Sequence, residues 1–400
     1  MRKSLLVLLL AAFLPAAGCG GSSGSASGNN TITPPTTQNV QAVSVNPGPT
    51  GSYVNGLFTS VTVCLPSNSS DCQTISGVLV DTGSVGLRIL ASALTLPLPQ
   101  QTNAAAAPIA ECNQFEDGYT WGPIKIANIQ VAGEQAASVP VQVIGDPAFS
   151  TVPSGCTSTG LTAEDNLQTL GANGVLGVGL FPQDCGGACT LTGSANPGIY
   201  YACPKSGCVQ TAQGMAQQVQ NPVSMFPADN NGVIIELPLA PSGGALSLAG
   251  SLVFGIGTQA NNSLGNARVF TTDASGNIST AYGGHSYTSF LDTGSNALYF
   301  LDSTTAGLPV CTDASSFYCP ASSKIFSATN QGGNGASGAV NFSVANADSL
   351  FATPNSAFIN LAGPNPSTFD WGLPFFYGRN VFTAIAGQNT PGGPGPFFAY

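Results

Sequence analysis

Val78-Leu79-Val80-Asp81-Thr82-Gly83-Ser84 and Ser289-Phe290-Leu291-Asp292-Thr293-Gly294-Ser295 are one device used twice, 211 positions apart. Each is an apolar run ending in Asp-Thr-Gly-Ser, and each is followed by a second apolar stretch, Leu87-Arg88-Ile89-Leu90 and Ala297-Leu298-Tyr299-Phe300-Leu301. A lone Asp-Thr-Gly is an ordinary turn, because Asp and Gly are the residues that tight turns favour. Two copies with matching flanks imply an internal duplication. Two carboxylates brought face to face cannot both stay ionised, so they share a proton. One then takes a proton from water while its neutral partner polarises a carbonyl, which is general acid–base chemistry without histidine or metal. Glycine after the threonine lets the backbone pass where a Cβ would clash. The hydroxyls of Thr82, Thr293, Ser84 and Ser295 are placed to hold the loops and orient Asp81 and Asp292.

The composition agrees with this reading and removes its rivals. The chain has 400 residues, 43% hydrophobic and only 6% charged, with 50 glycines and 29 prolines. That excludes a helical bundle and points to a mostly β chain of one large or two medium lobes. Eight basic against 18 acidic residues leave a formal charge of −10, so no phosphate-neutralising surface exists and no nucleic-acid partner is expected. His285 is the single histidine, which excludes a three-histidine zinc site, and no cofactor or metal is expected. Short β-type runs recur throughout, among them Leu57–Leu65, Gly77–Val80, Ile124–Val131, Val233–Leu237 and Val381–Ala386. Gly214–Val219 is the best candidate for a short helix.

The N-terminus reads as an address. A basic Met1-Arg2-Lys3, an apolar run from Leu5 to Leu14 and Pro15-Ala16-Ala17-Gly18-Cys19 resemble a bacterial lipoprotein signal. Residues 1–18 are then a signal peptide, and Cys19 is the lipidated first residue of an exported, membrane-anchored chain. Residues 19–46, rich in Gly, Ser, Thr and Pro, are expected to be a flexible tether. The folded part then divides into lobes at 47–225 and 226–400. Ten further cysteines in an exported chain predict disulfides. Short spacing pairs Cys64 with Cys72 and Cys311 with Cys319, leaving Cys112 for Cys156 and an internally paired group from Cys185 to Cys208.

The paired motif, taken with other segments in the same order, resembles the pepsin-like aspartic peptidases over residues 50 to 400. Phe115-Glu116-Asp117-Gly118-Tyr119-Thr120-Trp121-Gly122 is similar to that family's flap hairpin. Asn173-Gly174-Val175-Leu176-Gly177 is similar to the segment that supports the first active-site loop, and Trp371-Gly372-Leu373-Pro374 to its C-terminal counterpart. The lipoprotein signal and the Asp-Gly-Tyr-Thr-Trp-Gly-Pro stretch resemble bacterial exported proteins known mainly as a domain of unknown function. The resemblance implies an all-β, bilobal fold with a cleft between pseudo-symmetric lobes. It implies Asp81 and Asp292 as the catalytic pair, and Phe115, Gly118, Tyr119 and Trp121 as flap residues over a peptide or protein substrate, in a monomer. Two positions depart from the family. Phe115 stands where the flap tyrosine is usual, with Tyr119 as its substitute in a shifted register, and Arg88 stands where a tryptophan commonly follows the first loop. These departures leave a second reading open, a surface lipoprotein of the same fold that binds a peptide or protein without turnover, and a third in which the repeated turns belong to an acidic β-rich adhesin.

Overall fold

The computed structural model describes residues 30–158 and 160–400. They form two pepsin-like β lobes built from short strands, and no helix among them exceeds five residues. Gly214–Val219 contains only a 3-10 turn at Met215–Gln217, since a run this short with a glycine start gains too little to propagate a helix.

A long mixed sheet runs through the molecule and joins the lobes. Toward one end of it the strands Val40–Asn46, Leu248–Phe254, Gly232–Leu237, Arg379–Ala384 and Phe397–Ala399 lie side by side, drawn from the beginning, middle and end of the chain. Val40 pairs with Val253 and Ala399 with Phe382. The C-terminal Phe397–Ala399 is therefore an inter-lobe strand, as its aromatic run suggests.

Residues 40–46 correct the expected boundary of the tether. They form a strand with Val40, Val43 and Val45 buried, because Val-x-x-Val-x-Val supplies β-branched side chains to a covered sheet. The chain before it is also engaged: Asn30 Nδ2 donates to the Leu237 carbonyl at 3.0 Å, and the Thr33 amide donates to Glu236 Oε2 at 2.6 Å. Residues 1–18 and Cys19 lie outside the described residues.

Five disulfides pin the loops: Cys64–Cys72, Cys112–Cys156, Cys185–Cys189, Cys203–Cys208 and Cys311–Cys319. All four expected groupings are present. The two lobes are further latched by Asn55, buried on the N-terminal side. Its Nδ2 donates to the carbonyls of Asn296 and Phe358, and its Oδ1 accepts from the Phe358 amide and the Tyr377 hydroxyl. Asn55 has φ of 51°, a left-handed conformation that asparagine tolerates better than most residues.

Candidate active site

Each Asp-Thr-Gly-Ser turn sits at the end of a strand, Asn68–Asp81 in one lobe and His285–Leu291 in the other. Each turn is held from below by a strand inserted between the two arms that flank it. Gly174–Val178 runs parallel to the first arm, with Asp81 opposite Gly177, and antiparallel to Val85–Leu90. Asn365–Trp371 does the same in the second lobe, pairing Leu291 and Leu298 with Trp371. Glycine is required at both supports: a Cβ on Gly177 would lie 2.6 Å from the Val85 amide nitrogen, and one on Gly372 would lie 2.1 Å from the Ala297 carbonyl oxygen.

The two turns meet face to face through their threonines. The Thr82 amide donates to Thr293 Oγ1 and the Thr293 amide to Thr82 Oγ1, both at 3.0 Å. Each hydroxyl then donates across the interface, Thr82 to the Leu291 carbonyl at 3.2 Å and Thr293 to the Val80 carbonyl at 2.8 Å. Four buried bonds thus fix one loop against the other. The glycines allow the approach, since a Cβ on Gly83 would lie 2.6 Å from Asp292 Cγ and one on Gly294 would lie 2.7 Å from Asp81 Oδ1.

Asp81 and Asp292 therefore stand together, each anchored by its own turn. Asp81 Oδ1 accepts from the amides of Gly83 at 2.7 Å and Ser84 at 3.2 Å. Asp292 Oδ1 accepts from the Gly294 amide at 2.7 Å, and Asp292 Oδ2 from the Ser295 hydroxyl at 2.8 Å. The serines are not equivalent, because Ser84 Oγ has no partner among the described residues. Burial holds the Asp292 carboxyl well above its ordinary value, the charges of Asp81 and Asp370 add to that, and the Ser295 bond works against it. Two carboxyls held this close favour a state in which one of them is protonated.

The hairpin of Ile109–Gln114 and Gly118–Val131 has its tip at residues 115–117 and is fastened on both faces. On one face, Arg88 takes the place of the family's tryptophan and is fully buried. Its Nη2 bonds Glu111 at 2.8 Å, Asn113 at 3.0 Å and Asp184 at 3.0 Å, and the Tyr200 hydroxyl donates to the same Asp184. On the other face, Cys112–Cys156 and the short strand Thr162–Ala163 fasten the chain around Cys156 and Thr162 to the hairpin.

Tyr119 and Trp121 do not occupy the ligand-facing positions expected of them. Both are buried in a cluster with Cys112, Cys156 and Tyr201, and Trp121 Nε1 donates to the Phe149 carbonyl at 2.7 Å. The period-2 alternation of the strand turns them toward the clamping segment, so they brace the hairpin. Gly118 lies against Glu164, since a Cβ on it would lie 2.4 Å from Glu164 Cδ, and Phe115 is half-buried at the tip.

Three groups escaped the sequence reading. Tyr53, half-buried, has its phenol pushed up by burial and then by the charges of Asp117, Glu164, Asp81 and Asp292. It lines a cavity of about 730 Å³ together with Asp117, Glu164, Asn296 and Phe317. Burial, then the charge of Asp117, pushes the Glu164 carboxyl up to about 7. Asp370, on the strand beneath the second loop, is a third buried carboxyl. None of the three lies in a repeated motif, which is why the duplication does not reveal them. His285, exposed at the start of its strand, takes no part in the site.

Residues 35–400 match the family described as Protein of unknown function (DUF3443). The chain belongs to this family. The fold of this chain is similar to that of an aspartic proteinase: the crystal structure of aspartic proteinase from Irpex lacteus aligns with a TM-score of 0.51, covering 90% of this chain and 96% of that one at 14% identity. No curated protein matches the chain.

Proposed function

We propose that this DUF3443 protein is an aspartic-type endopeptidase whose Asp81 and Asp292 activate a water molecule against a peptide bond. One observation carries the reading: each motif's glycine is packed against the other motif's carboxylate, so the two aspartates are presented to a single point between the lobes.

An extended peptide lies in the cleft beneath the hairpin, with its scissile carbonyl over the pair. The ionised carboxylate removes a proton from water as the water oxygen attacks the carbonyl carbon, and the neutral partner gives its proton to the carbonyl oxygen. The resulting tetrahedral diol collapses when the amide nitrogen takes a proton from the pair and the C–N bond breaks, while one diol hydroxyl gives its proton back to the ionised carboxylate as the C=O bond re-forms, restoring the one shared proton. The Thr82–Thr293 bonds keep the carboxylates in register throughout, so no reorganisation accompanies the chemistry.

Five disulfides and the signal-like N-terminus support export to the bacterial envelope, with Cys19 lipidated as the membrane attachment. Mass determination of the mature N-terminus tests that part. Cleavage of a mixed peptide library across pH 3 to 8 tests the chemistry, beside Asp81→Asn and Asp292→Asn. Cleavage by the wild type alone is expected. Silence from folded, disulfide-bonded protein favours the second reading, a binding protein of the same fold, for which the double-sided bracing of the hairpin is the supporting observation.

A further inference from the structure

One face of the hairpin is tied to the first lobe by a single buried cation. Arg88 stands on Val85–Leu90, the strand that leaves the first active loop, and its side chain is 0% exposed. Two carboxyls meet it: Glu111 from the hairpin strand Ile109–Gln114 at 2.8 Å, and Asp184 from the loop beyond Gly174–Val178 at 3.0 Å, with side-chain exposures of 0% and 5%. Asn113, two residues nearer the hairpin tip, adds its amide oxygen at 3.0 Å. The charges do not cancel. Fully ionised, the cluster carries two negative charges and one positive, and an uncompensated buried charge is strongly destabilising.

The neighbours do not make up the difference. Tyr200 sits opposite Glu111 on the adjoining strand, and its hydroxyl donates to Asp184 at 2.8 Å and accepts from the Val219 amide at 2.7 Å. Burial holds that phenol well above its ordinary value, so it is neutral. Gln142, which donates to the Glu111 carbonyl, carries no charge. The hairpin's own cation, Lys125, is engaged by Asp146 at 2.9 Å, and Tyr119 turns to the disulfide side. Glu116 and Asp117 at the tip, and Glu164 against Gly118, are all acidic. The cluster therefore reaches neutrality by keeping one proton on its two carboxyls. In agreement, burial and then Glu111 hold the Asp184 carboxyl well above its ordinary value, against the opposing effects of Arg88 and the Tyr200 bond. Asp184 is also fixed in place, since the Cys185–Cys189 bridge follows it and its amide donates to the Val219 carbonyl at 3.2 Å. The side that gives is the hairpin's, where Glu111 Oε2 and Asn113 Nδ2 have no hydrogen-bond partner among the described residues.

We propose that Arg88, Glu111 and Asp184 form a proton-dependent latch, closed in acid, whose release as pH rises loosens the tip end of the hairpin. With one carboxyl neutral, the other cancels the guanidinium and the hairpin is held. When the proton leaves, a net negative charge is buried, and parting of the hairpin from Asp184 lets water reach it. Opening is then linked to the loss of one proton, so its equilibrium constant rises by up to about tenfold per pH unit once the titration is passed. The Cys112–Cys156 bridge keeps the opposite face attached, which makes the motion local. Such a latch serves a cleaving cleft and a merely binding one alike.

Amide hydrogen exchange on the whole disulfide-bonded chain, corrected for the pH dependence of the intrinsic rate, reads the opening without any need of activity. Between about pH 4 and 8, protection of residues 110–122 in the wild type should fall by up to about tenfold per unit, while that of Leu57–Val63 in the core of the same lobe stays level. Glu111→Gln and Asp184→Asn each leave one carboxylate against Arg88, and either should make hairpin protection flat with pH. The double variant leaves Arg88 unpaired and should be poorly protected throughout. One loss flattens and two losses weaken, because the charges decide. A merely structural contact gives a different result, a single variant lowered by the same factor at every pH with the wild-type slope kept, and that result overturns the proposal. So does a wild-type hairpin whose protection is level across the range, or a fall shared equally by Leu57–Val63. If one single variant fails to fold, the other and the wild-type slope decide.

Discussion

Replacing Thr82 by valine removes one hydroxyl and nothing else of consequence in volume, and the structure assigns that hydroxyl two partners in the opposite lobe. It accepts from the Thr293 amide at 3.0 Å and donates to the Leu291 carbonyl at 3.2 Å. Thr82, Thr293 and Leu291 are at most 2% exposed, so water does not replace either bond. A buried polar group left without its partner costs about 1–3 kcal/mol, and two such groups place Thr82→Val at about 2–6 kcal/mol. Thr293→Val orphans a different two, the Thr82 amide and the Val80 carbonyl, and has the same range. Four separate bonds would make the double variant additive. The expected result is less than additive, because once the loops part the second substitution meets an interface already open. The chain's two tryptophans report the lobes separately, Trp121 in the first hairpin and Trp371 under the second loop. In urea with disulfides intact, single-tryptophan backgrounds should give coincident transitions in wild type and separated ones in Thr82→Val, with cleavage lost. A cost under about 1 kcal/mol, with coincident transitions and unchanged cleavage, would refute the claim that these threonines hold the pair in place.

Further outcomes follow from other contacts. Arg88→Met leaves Glu111 and Asp184 buried without their cation and should cost about 3–5 kcal/mol, read from the Trp121 transition. Gly294→Ala places a Cβ 2.7 Å from Asp81 Oδ1 and should abolish cleavage while far-ultraviolet circular dichroism stays unchanged. Removing Cys112–Cys156 with two serines opens a 44-residue separation, lowers stability by about 4 kcal/mol and speeds amide exchange at residues 115–118. Asp370, raised from 3.8 to about 8, gives stability that is complete at acid pH and is lost as pH climbs through that interval. Urea midpoints between pH 4 and 8 should therefore decline less in Asp370→Val than in wild type.

The duplicated motif was legible because the chemistry demands the same four residues on both sides, and the same demand made the supporting glycines and the fold readable. The disulfides were legible from spacing for an equally local reason. What stayed hidden depends on partners far apart in the chain. Arg88 reads as a lost tryptophan until Glu111 and Asp184, 23 and 96 positions away, are seen to neutralise it. The Asn68–Asp81 strand was recognised only at its apolar end, because Asn68 to Gln73 form a mostly exposed polar arm whose hydrogen bonding comes from the facing strand. Residues 40–46 carry valines at buried positions, but follow a long stretch of tether-like composition, and their partner Leu248–Phe254 is some 200 positions on. Asp370 sits in an aromatic run and looks like an ordinary strand residue until its burial on the strand beneath the second loop is seen.

The contacts made by the hairpin share a direction. Arg88, the Cys112–Cys156 clamp and the burial of Tyr119 and Trp121 all act on the hairpin, and all reduce its freedom. Conversely, the groups of the loops themselves, the threonine bonds and the two glycines, keep the arrangement that two facing carboxylates need. Gly83 and Gly294 serve the close approach of each loop to the other's carboxylate, which a Cβ at either position would oppose. On the proposed peptidase reading the braced hairpin changes how the peptide is held, and on the binding reading it fixes one wall of the cleft; the peptide-library cleavage with Asp81→Asn and Asp292→Asn separates the two.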